Sequence, residues 1–224
     1  MAAGVARAWM SWSSGKDSTL ALAEVRTDPS LEVVGLLTTV NEDANRVAMH
    51  AVRRELLEQQ ADALGLPLHV VEIPRACRNE VYEQRMAAAI DAAREDGVAR
   101  MVFGDLFLAD VRAYREQMLR PTGIEAVFPL WGRPTAELAR TMLERGIRAT
   151  LTCVDPRALD PSYAGRGFDA ALLDELPGSV DPCGENGEFH TFVHDGPGFA
   201  HPLAVTTGEV VERDGFVFAD VLPA

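Results

Sequence analysis

The sequence predicts an α/β protein with a doubly wound parallel sheet and a smaller C-terminal α+β domain. Short apolar runs alternate with helical periodicities over about the first 130 residues, and a Ser/Gly turn joins the first run to the first helix. Short strands with turns follow from Glu188 onward. Strands that alternate with helices are typical of parallel βαβ units. We place a boundary near Gly132-Arg133-Pro134, which separates residues 1–132 from residues 133–224.

Five apolar runs in the first domain have the length and composition of strands. They are Ala8–Trp12, Glu32–Val40, Leu68–Ile73, Met101–Gly104 and Ala126–Leu130. Helical spacing predicts helices over Thr19–Val25, from Val47 to Leu64, and from Val81 to Ala93. Ligands of such sheets bind beyond the carboxyl ends of the strands, so candidate site residues are sought there.

The second domain continues this alternation less regularly. Helices are predicted over Ala136–Arg145 and Asp169–Leu176, with a strand over Ala149–Val154 between them. The pair Asp214-Gly215 is a hairpin signal, and it joins predicted strands over Glu209–Glu212 and Phe216–Asp220.

Composition narrows the functional classes. The net charge of −13 lacks the basic surface with which proteins grip a nucleic-acid backbone, so nucleic acid is an unexpected partner. No apolar run approaches the ~20 residues that span a bilayer, and we expect a cytoplasmic protein without a membrane partner. The three cysteines, Cys77, Cys153 and Cys183, do not have the spacing of a zinc site.

The turn Ser13-Ser14-Gly15-Lys16-Asp17-Ser18 lies between the first strand and the first helix. A helix N-terminus offers free N–H groups and a positive dipole end, which together hold an anion. Gly15 lets phosphate approach the backbone, and the serines add hydroxyl donors. Asp17 fits either a bridging Mg²⁺ ion or a helix cap. A plain Ser/Gly turn with an Asp cap is the alternative, and the loop does not fit the Walker A pattern.

Lys16 is the only lysine among 21 Lys and Arg residues. Because arginine serves elsewhere as the cation, this position indicates a need for a compact ammonium on a flexible stem. We therefore expect Lys16 to contact phosphate.

A second cluster, Gly184-Glu185-Asn186-Gly187-Glu188, places two carboxylates three residues apart in a turn with two glycines. Such a turn could aim Glu185 and Glu188 into one cleft, where they would bind an amine or take its proton. Asn186 suits a carbonyl or amide. A solvated surface turn is the alternative.

Several single residues near the strand ends are weaker candidates. Gly104 and Asp105 end the fourth strand, and His50 is placed on the opening turn of the second helix, within reach of a nucleotide. Arg112 and Arg115 are spaced to share a helix face, and could neutralise phosphate or a substrate carboxylate. Each could equally be an ordinary turn or surface residue.

The loop Ser13–Ser18 resembles the PP-loop of the N-type ATP pyrophosphatases, which form AMP and pyrophosphate. Further segments resemble the diphthine–ammonia ligase family, from about Trp9 to Phe199. They are Phe103-Gly104-Asp105, Asp110-Val111-Arg112, Arg115-Glu116, Pro129-Leu130-Trp131, Gly165-Arg166 and Cys183-Gly184-Glu185-Asn186-Gly187-Glu188-Phe189-His190-Thr191. Ser14 replaces the second glycine common in such loops. Asn186 and Phe189-His190 stand where eukaryotic members tend to carry Gly and Tyr-Glu.

The resemblance implies an adenine nucleotide alpha-hydrolase-like fold with ATP and Mg²⁺ as cofactors. It implies catalytic roles for Lys16, Asp17, Glu185 and Glu188, with Mg²⁺ reaching Asp17 through the nucleotide. The residues expected to bind the nucleotide are Ser13, Ser14, Gly15, Lys16, Asp17, Ser18, His50, Gly104 and Asp105. The residues expected to bind the substrate are Glu185, Asn186, Glu188 and Arg112.

The resulting prediction is an amide-forming ligase that adenylates a carboxylate and transfers ammonia or an amine to it. The carboxylate, on a small molecule or a protein side chain, need not belong to diphthine. Two alternatives are a sulfur-inserting or tRNA-modifying enzyme that uses Cys183, and a non-catalytic ATP-binding sensor. A homodimer is one assembly that this prediction allows.

Overall fold

A mostly parallel sheet occupies the first part of the chain. The computed structural model describes residues 4–43, 45–47, 51–74 and 77–224. The strands are β1 (Ala6–Ser11), β2 (Leu31–Asn41), β3 (Arg46–Val47), β4 (Leu68–Ile73), β5 (Arg100–Val102) and β6 (Glu125–Val127). Their order is β3-β2-β1-β5-β6, with β4 also paired to β2. All pairs are parallel except that of β3 with β2, which confirms the predicted sheet.

Helices cover both faces of this sheet. They are α1 (Lys16–Val25), α2 (Arg54–Leu64), α3 (Asn79–Glu95) and α4 (Ala109–Leu119). Successive strand side chains point to opposite faces. Ala8 and Met10 of β1 accordingly pack in one apolar cluster with Leu20 of α1, while Trp9 packs in the other with Ile90 of α3. The sheet is therefore doubly wound, as the alternating pattern predicts.

A four-stranded antiparallel sheet follows. Its elements are α5 (Thr135–Glu144), β7 (Arg148–Val154), α6 (Ala170–Glu175), β8 (Phe189–Asp195), β9 (Val205–Arg213) and β10 (Phe216–Pro223), with strand order β8-β7-β10-β9. Asp214 and Gly215 have φ of 54° and 81°, the left-handed pair that a tight hairpin needs. Leu20 of the first part shares one cluster with Phe192 of the second. The boundary at 132/133 stays a prediction.

Several element bounds differ from the predicted ones. Helical spacing predicts the second helix from Val47, but Val47 lies in β3, where it pairs with Val40 of β2, and α2 begins only at Arg54. Ala51, with φ of 55°, interrupts any helical run there. His50 lies outside the described residues. The first helix starts at Lys16 rather than Thr19, so Lys16, Asp17 and Ser18 form its first turn.

Among the described residues, no helix is both long enough and apolar enough to cross a membrane.

Candidate functional site

A cavity of about 510 Å³ lies at the carboxyl ends of β1, β2 and β5, within the usual size range of ligand sites. Its lining includes Ser11 at the end of β1, Thr38 in the second half of β2 and Gly104 just after β5. The loop before α1 and the loop before β8 form its polar wall, and α3 and α4 contribute its apolar wall. The cavity therefore lies at the edge of the sheet where the sequence predicts a ligand.

The loop Ser13–Ser18, called the phosphate loop from here on, presents the N-terminus of α1 to the cavity. Ser13, Lys16, Asp17 and Ser18 line it. Gly15 precedes the helix in an extended conformation and has no side chain to cap it. Lys16 N donates to Thr191 Oγ1 at 3.2 Å, so an anion at this helix N-terminus would have to use the next N–H groups, those of Asp17 and Ser18. Asp17 lies inside the first turn, so it is not the helix cap.

Ser14 shapes the phosphate loop through its backbone. Its φ is 69°, in the left-handed region that favours glycine. The Ser14 carbonyl accepts hydrogen bonds from Val193 N (2.9 Å) and Gln60 Nε2 (3.1 Å). Ser14 Oγ is buried and makes no hydrogen bond within the described part of the chain. The need for a left-handed residue explains why glycine would suit this position.

Gln60 of α2 is a buried residue that the sequence analysis missed. It is fully buried, and its Oε1 accepts from Trp12 Nε1 at 2.9 Å. Its Nε2 donates to the carbonyls of Ser14 and Val193, at 3.1 and 2.5 Å. Gln60 thus ties the beginning of the phosphate loop to α2 and β8. Its position on the apolar face of α2, next to Leu57 and Ala61, is the signal that could have revealed it.

Lys16 connects the phosphate loop to the second cluster. Its side chain is 2% exposed, and its ammonium donates to the carbonyl of Cys183 and to Asp17 Oδ2, the latter at 2.8 Å. The ammonium also lies over the rings of Phe168 and Phe189, 5.7 and 5.2 Å from their centroids. Burial acts to lower the pKa of Lys16, but the combined effects of Asp17, Cys183 and Glu185 outweigh it and the pKa is raised. The group is therefore a buried cation at neutral pH.

Asp17 offers an oxygen that fits a metal-bound nucleotide. Burial raises its pKa against the opposing effect of Lys16. Its Oδ1 is buried and makes no hydrogen bond to any described residue. Asp105 and Glu185 line the same cavity. No group of three protein ligands gathers around one point in the described residues, so water and phosphate oxygens would have to complete the shell, as is usual for Mg²⁺.

Gly104 brings the end of β5 against the phosphate loop. A Cβ atom at this position would lie 2.9 Å from Ser18 N and 3.0 Å from the carbonyl carbon of Asp17. Only glycine permits this approach. The next residue, Asp105, lines the cavity and lies 3.5 Å from Arg115 Nε.

Arg115, not Arg112, lines the cavity. The Arg112 guanidinium lies 4.8 Å from both the Phe128 and the Trp131 ring centroids, and its Nε donates to Glu116 at 2.7 Å. Arg115 lies over Phe103 at 4.9 Å and faces Asp105. The two arginines are less than one turn apart, but only Arg115 lines the cavity. Arg112, predicted to bind substrate, is therefore absent from the described cavity lining, whereas Arg115 is part of it.

The carboxylates of the second cluster separate instead of converging. Glu185 lines the cavity, and its Oε1 accepts from Leu106 N at 2.7 Å. Burial raises the pKa of Glu185 to about 7, aided by the charges of Asp17 and Asp105. A proton-transfer group with a pKa near neutrality is well suited to general base catalysis.

Glu188 turns inward and holds the turn together. It is 6% exposed, and it accepts from Asp181 N and Asn186 N, both at 3.0 Å, and from Asn186 Nδ2 at 3.1 Å. Gly184 and Gly187, with φ of 66° and 88°, produce the reversal that sends the two carboxylates apart. Glu188 and Asn186 therefore support the turn from outside the cavity lining, and their predicted chemical roles lack this geometric support.

Cys183 and His190 also line the cavity. Cys183 Sγ donates to the Thr135 carbonyl at 3.3 Å, and burial raises the pKa of the thiol. Burial, assisted by Lys16, lowers the pKa of His190 to about 4. At neutral pH the cavity thus contains a protonated thiol and a neutral imidazole.

Comparisons with known proteins cover nearly the whole chain. A model of the diphthamide synthase N-terminal domain matches residues 6–126, and one of the C-terminal domain matches residues 134–219. The chain is 25% identical over 218 residues to diphthine–ammonia ligase of Homo sapiens, covering 90% of this chain and 79% of that protein. The Mus musculus protein of that name is 24% identical over 232 residues, with 93% and 86% covered.

Among solved structures, a protein described as a predicted subunit of tRNA methyltransferase from Methanocaldococcus jannaschii is similar to the chain. It is 16% identical, with a TM-score of 0.44, and the match covers 84% of this chain and 96% of that one.

Proposed function

The chain belongs to the diphthamide synthase family, and from that membership we propose that it is an ATP-dependent, AMP-forming ligase. It joins ammonia or an amine to a substrate carboxylate. The observation that carries the proposal is that one cavity holds the Lys16 ammonium at a helix N-terminus and the Glu185 carboxyl with a pKa of about 7. The first suits phosphate, and the second suits the proton of an amine.

In the first step, an oxygen of the substrate carboxylate attacks the α-phosphorus of ATP. The bond between the α-phosphorus and the bridging oxygen breaks, and pyrophosphate leaves with the electron pair. Lys16 and the N-terminus of α1 stabilise the charge of the leaving group. The products of this step are an acyl-adenylate and pyrophosphate.

In the second step, the nitrogen of ammonia or an amine attacks the acyl carbon, and AMP leaves with the bridging oxygen. The nitrogen loses one proton, which Glu185 accepts in its carboxylate form. Positioning and proton transfer are the two tasks of the protein here.

Asp17 is the residue we assign to a Mg²⁺ ion carried by the nucleotide, because its Oδ1 is buried and has no hydrogen-bond partner among the described residues. When bound, the ion neutralises phosphate charge. Asp105 is the second oxygen ligand available in the cavity lining. We propose that residues 1–132 supply the nucleotide site and residues 133–224 supply Glu185.

The sulfur-inserting alternative needs a reactive thiolate. Thiolate, not thiol, is the nucleophile, and the raised pKa and buried hydrogen bond of Cys183 oppose that form. This observation favours the ligase. A non-catalytic ATP sensor would need no group titrating near neutrality, so Glu185 weighs against that alternative as well.

The test is to incubate the protein with ATP, ammonium and a panel of carboxylic acids labelled with ¹⁸O in the carboxylate. We expect AMP that carries one ¹⁸O atom, because the attacking oxygen stays on phosphorus. Formation of ADP and phosphate would exclude the proposed bond scission. Unlabelled AMP would show that water, and not the acid, attacks.

A further inference from the structure

The helices α3 and α4 cover one face of the main sheet without filling the space beneath them. Of their side chains, only Ile90, Ala93 and Leu119 are buried. Tyr82 and Met86 of α3, and Tyr114 and Met118 of α4, are spaced four residues apart on the cavity-facing side of each helix. A helix normally buries such an apolar stripe in the core. Here the stripes line open space.

This space is part of the same cavity that the phosphate loop lines. We define it as the apolar chamber, bounded by Tyr82, Met86, Ile90, Met101, Tyr114 and Met118. None of these six side chains is charged. The unbranched thioethers of three methionines adapt readily to an apolar ligand. The chamber is therefore suited to the uncharged body of a small molecule.

Arg115 is the cation nearest this chamber along α4. It is one of two cationic side chains at neutral pH among the described residues that line the cavity, the other being Lys16. Arg115 Nε is buried, and although Asp105 Oδ2 lies 3.5 Å away, it makes no hydrogen bond in the described structure. A guanidinium has five donors in a planar fork that matches a carboxylate. The Arg115 side chain is 29% exposed and lines the cavity, so its donors other than the Nε that faces Asp105 can hold a second carboxylate.

We propose that the apolar chamber binds the body of the acid that the enzyme activates, with Arg115 holding its carboxylate next to the phosphate loop. The substrate class is a monocarboxylic acid with an uncharged apolar body. This inference rests on the proposed ligase function. A second charge on the body would lose its hydration in the chamber without gaining a partner.

The adenine of ATP is the competing occupant. The edge of adenine carries ring nitrogens and an amino group that need polar partners. Ser11 at the end of β1, and Thr38 and Thr39 in the second half of β2, offer such groups in the lining. The wall of the chamber is apolar apart from two tyrosine hydroxyls, so it favours the acid over the base.

The first experiment measures binding by calorimetry, without turnover, using phenylpropionate as the apolar probe and succinate as the polar one. We expect phenylpropionate to bind at least tenfold more tightly than succinate, since apolar bodies discriminate by this order. The variant Met86→Trp fills the chamber. It should raise the Kd of phenylpropionate at least tenfold and leave the Kd of ATP unchanged. The matched control is Ala88→Trp, which puts the same side chain on the exposed face of α3.

Two results would overturn the inference. If Met86→Trp raised the Kd of ATP tenfold and left the Kd of phenylpropionate unchanged, the chamber would hold adenine. If neither ligand responded, the chamber would not be a binding site. Neither result bears on AMP formation, which is assayed separately. Conversely, binding of phenylpropionate without AMP from any acid would contradict the ligase function and not the chamber.

The second experiment tests the carboxylate contact. Arg115→Met should weaken the binding of phenylpropionate at least tenfold. The binding of the corresponding alcohol, phenylpropanol, should stay unchanged, because the alcohol has no charge to pair. Arg112→Met is the control on the same helix, since Arg112 packs on Phe128 and Trp131. Circular dichroism establishes that each variant is folded, and Arg115→Lys should restore part of the affinity. Equal loss for acid and alcohol would show a merely structural role and overturn the assignment.

Discussion

The ammonium of Lys16 donates a hydrogen bond to the backbone carbonyl of Cys183, a residue 167 positions later in the chain. The same segments also meet where Lys16 N donates to Thr191 Oγ1 at 3.2 Å. The phosphate loop and the turn that carries Glu185 are therefore fixed relative to each other. Any ligand of Lys16 lies close to the turn that supplies the proposed base.

Lys16 should not be replaceable by arginine. Its stem is 2% exposed and its ammonium is packed over Phe168 and Phe189, so a wider guanidinium would not fit. We expect Lys16→Arg and Lys16→Ala to weaken ATP binding at least tenfold, because the loss of a hydrogen bond to a charged group costs about 1.5–3 kcal/mol. Calorimetry measures the affinity. Arg148→Ala, at an exposed site, controls for net charge, and parental affinity in Lys16→Ala would refute the phosphate site.

Amide formation should depend on the ionisation of Glu185. The base form is the carboxylate, so the rate should rise with pH and level off above about 7, where the group has titrated. Glu185→Gln should lower the rate by about 10²–10⁴-fold and abolish this inflection. The assay keeps the concentration of free ammonia constant at each pH. An unchanged inflection in Glu185→Gln would assign it to another group, and Glu175→Gln is the exposed control.

Ser14→Gly should stabilise the protein. Glycine relieves the left-handed φ of 69° and removes a buried hydroxyl that has no partner among the described residues. The strain amounts to about 1–2 kcal/mol, partly offset by the larger entropy that glycine loses on folding. We expect the free energy of unfolding, measured in urea, to rise by up to about 1 kcal/mol. A decrease would mean that the hydroxyl is bound in solution.

Gly104→Ala should impair the phosphate loop. The new Cβ would lie 2.9 Å from Ser18 N, so either β5 or the start of α1 must move. Overpacking of this kind costs about 1–3 kcal/mol. We expect a loss of that size in the free energy of unfolding and at least tenfold weaker ATP binding. Gly178→Ala is the control, because a Cβ there meets no atom within 4 Å. Unimpaired binding in Gly104→Ala would show that the approach is not required.

Gln60→Leu should destabilise the protein by about 3 kcal/mol, because the substitution strands buried polar groups of Trp12, Ser14 and Val193. Urea unfolding measures the loss, and ATP affinity should fall with it as the phosphate loop loosens. The neighbouring Gln59→Leu, at a half-buried position, should change stability by less than about 0.5 kcal/mol. Similar effects of the two substitutions would contradict a special role for Gln60.

The sequence predicts what local patterns encode. The parallel sheet follows from alternating apolar runs, and the turn before α1 follows from Ser, Gly and the single Lys. The hairpin at Asp214-Gly215 follows from turn chemistry that two residues carry by themselves. The family resemblance, now matched over residues 6–126 and 134–219, rests on such short motifs.

The rest depends on contacts between distant segments. Glu185 and Glu188 are both glutamates that directly follow a glycine, so local sequence does not distinguish them. Hydrogen bonds from the backbone N–H groups of Asp181 and Asn186 turn Glu188 inward. Arg112 and Arg115 share a helix, and only the packing of Phe128 and Trp131 separates their directions. Val47, predicted to begin a helix, instead pairs with Val40 of the neighbouring strand β2. None of these partners can be inferred from spacing.

The anchoring of the phosphate loop on β8 limits how the chain can be divided. Val193, Thr191 and Cys183 provide bonds to Ser14 and Lys16, and all three follow the predicted boundary at 132/133. A fragment ending at residue 132 would retain every strand of the first sheet but lose the contacts that hold its own phosphate loop. Chimeras that exchange C-terminal halves between relatives should therefore inherit nucleotide affinity from the donor of β8 as much as from the donor of the loop.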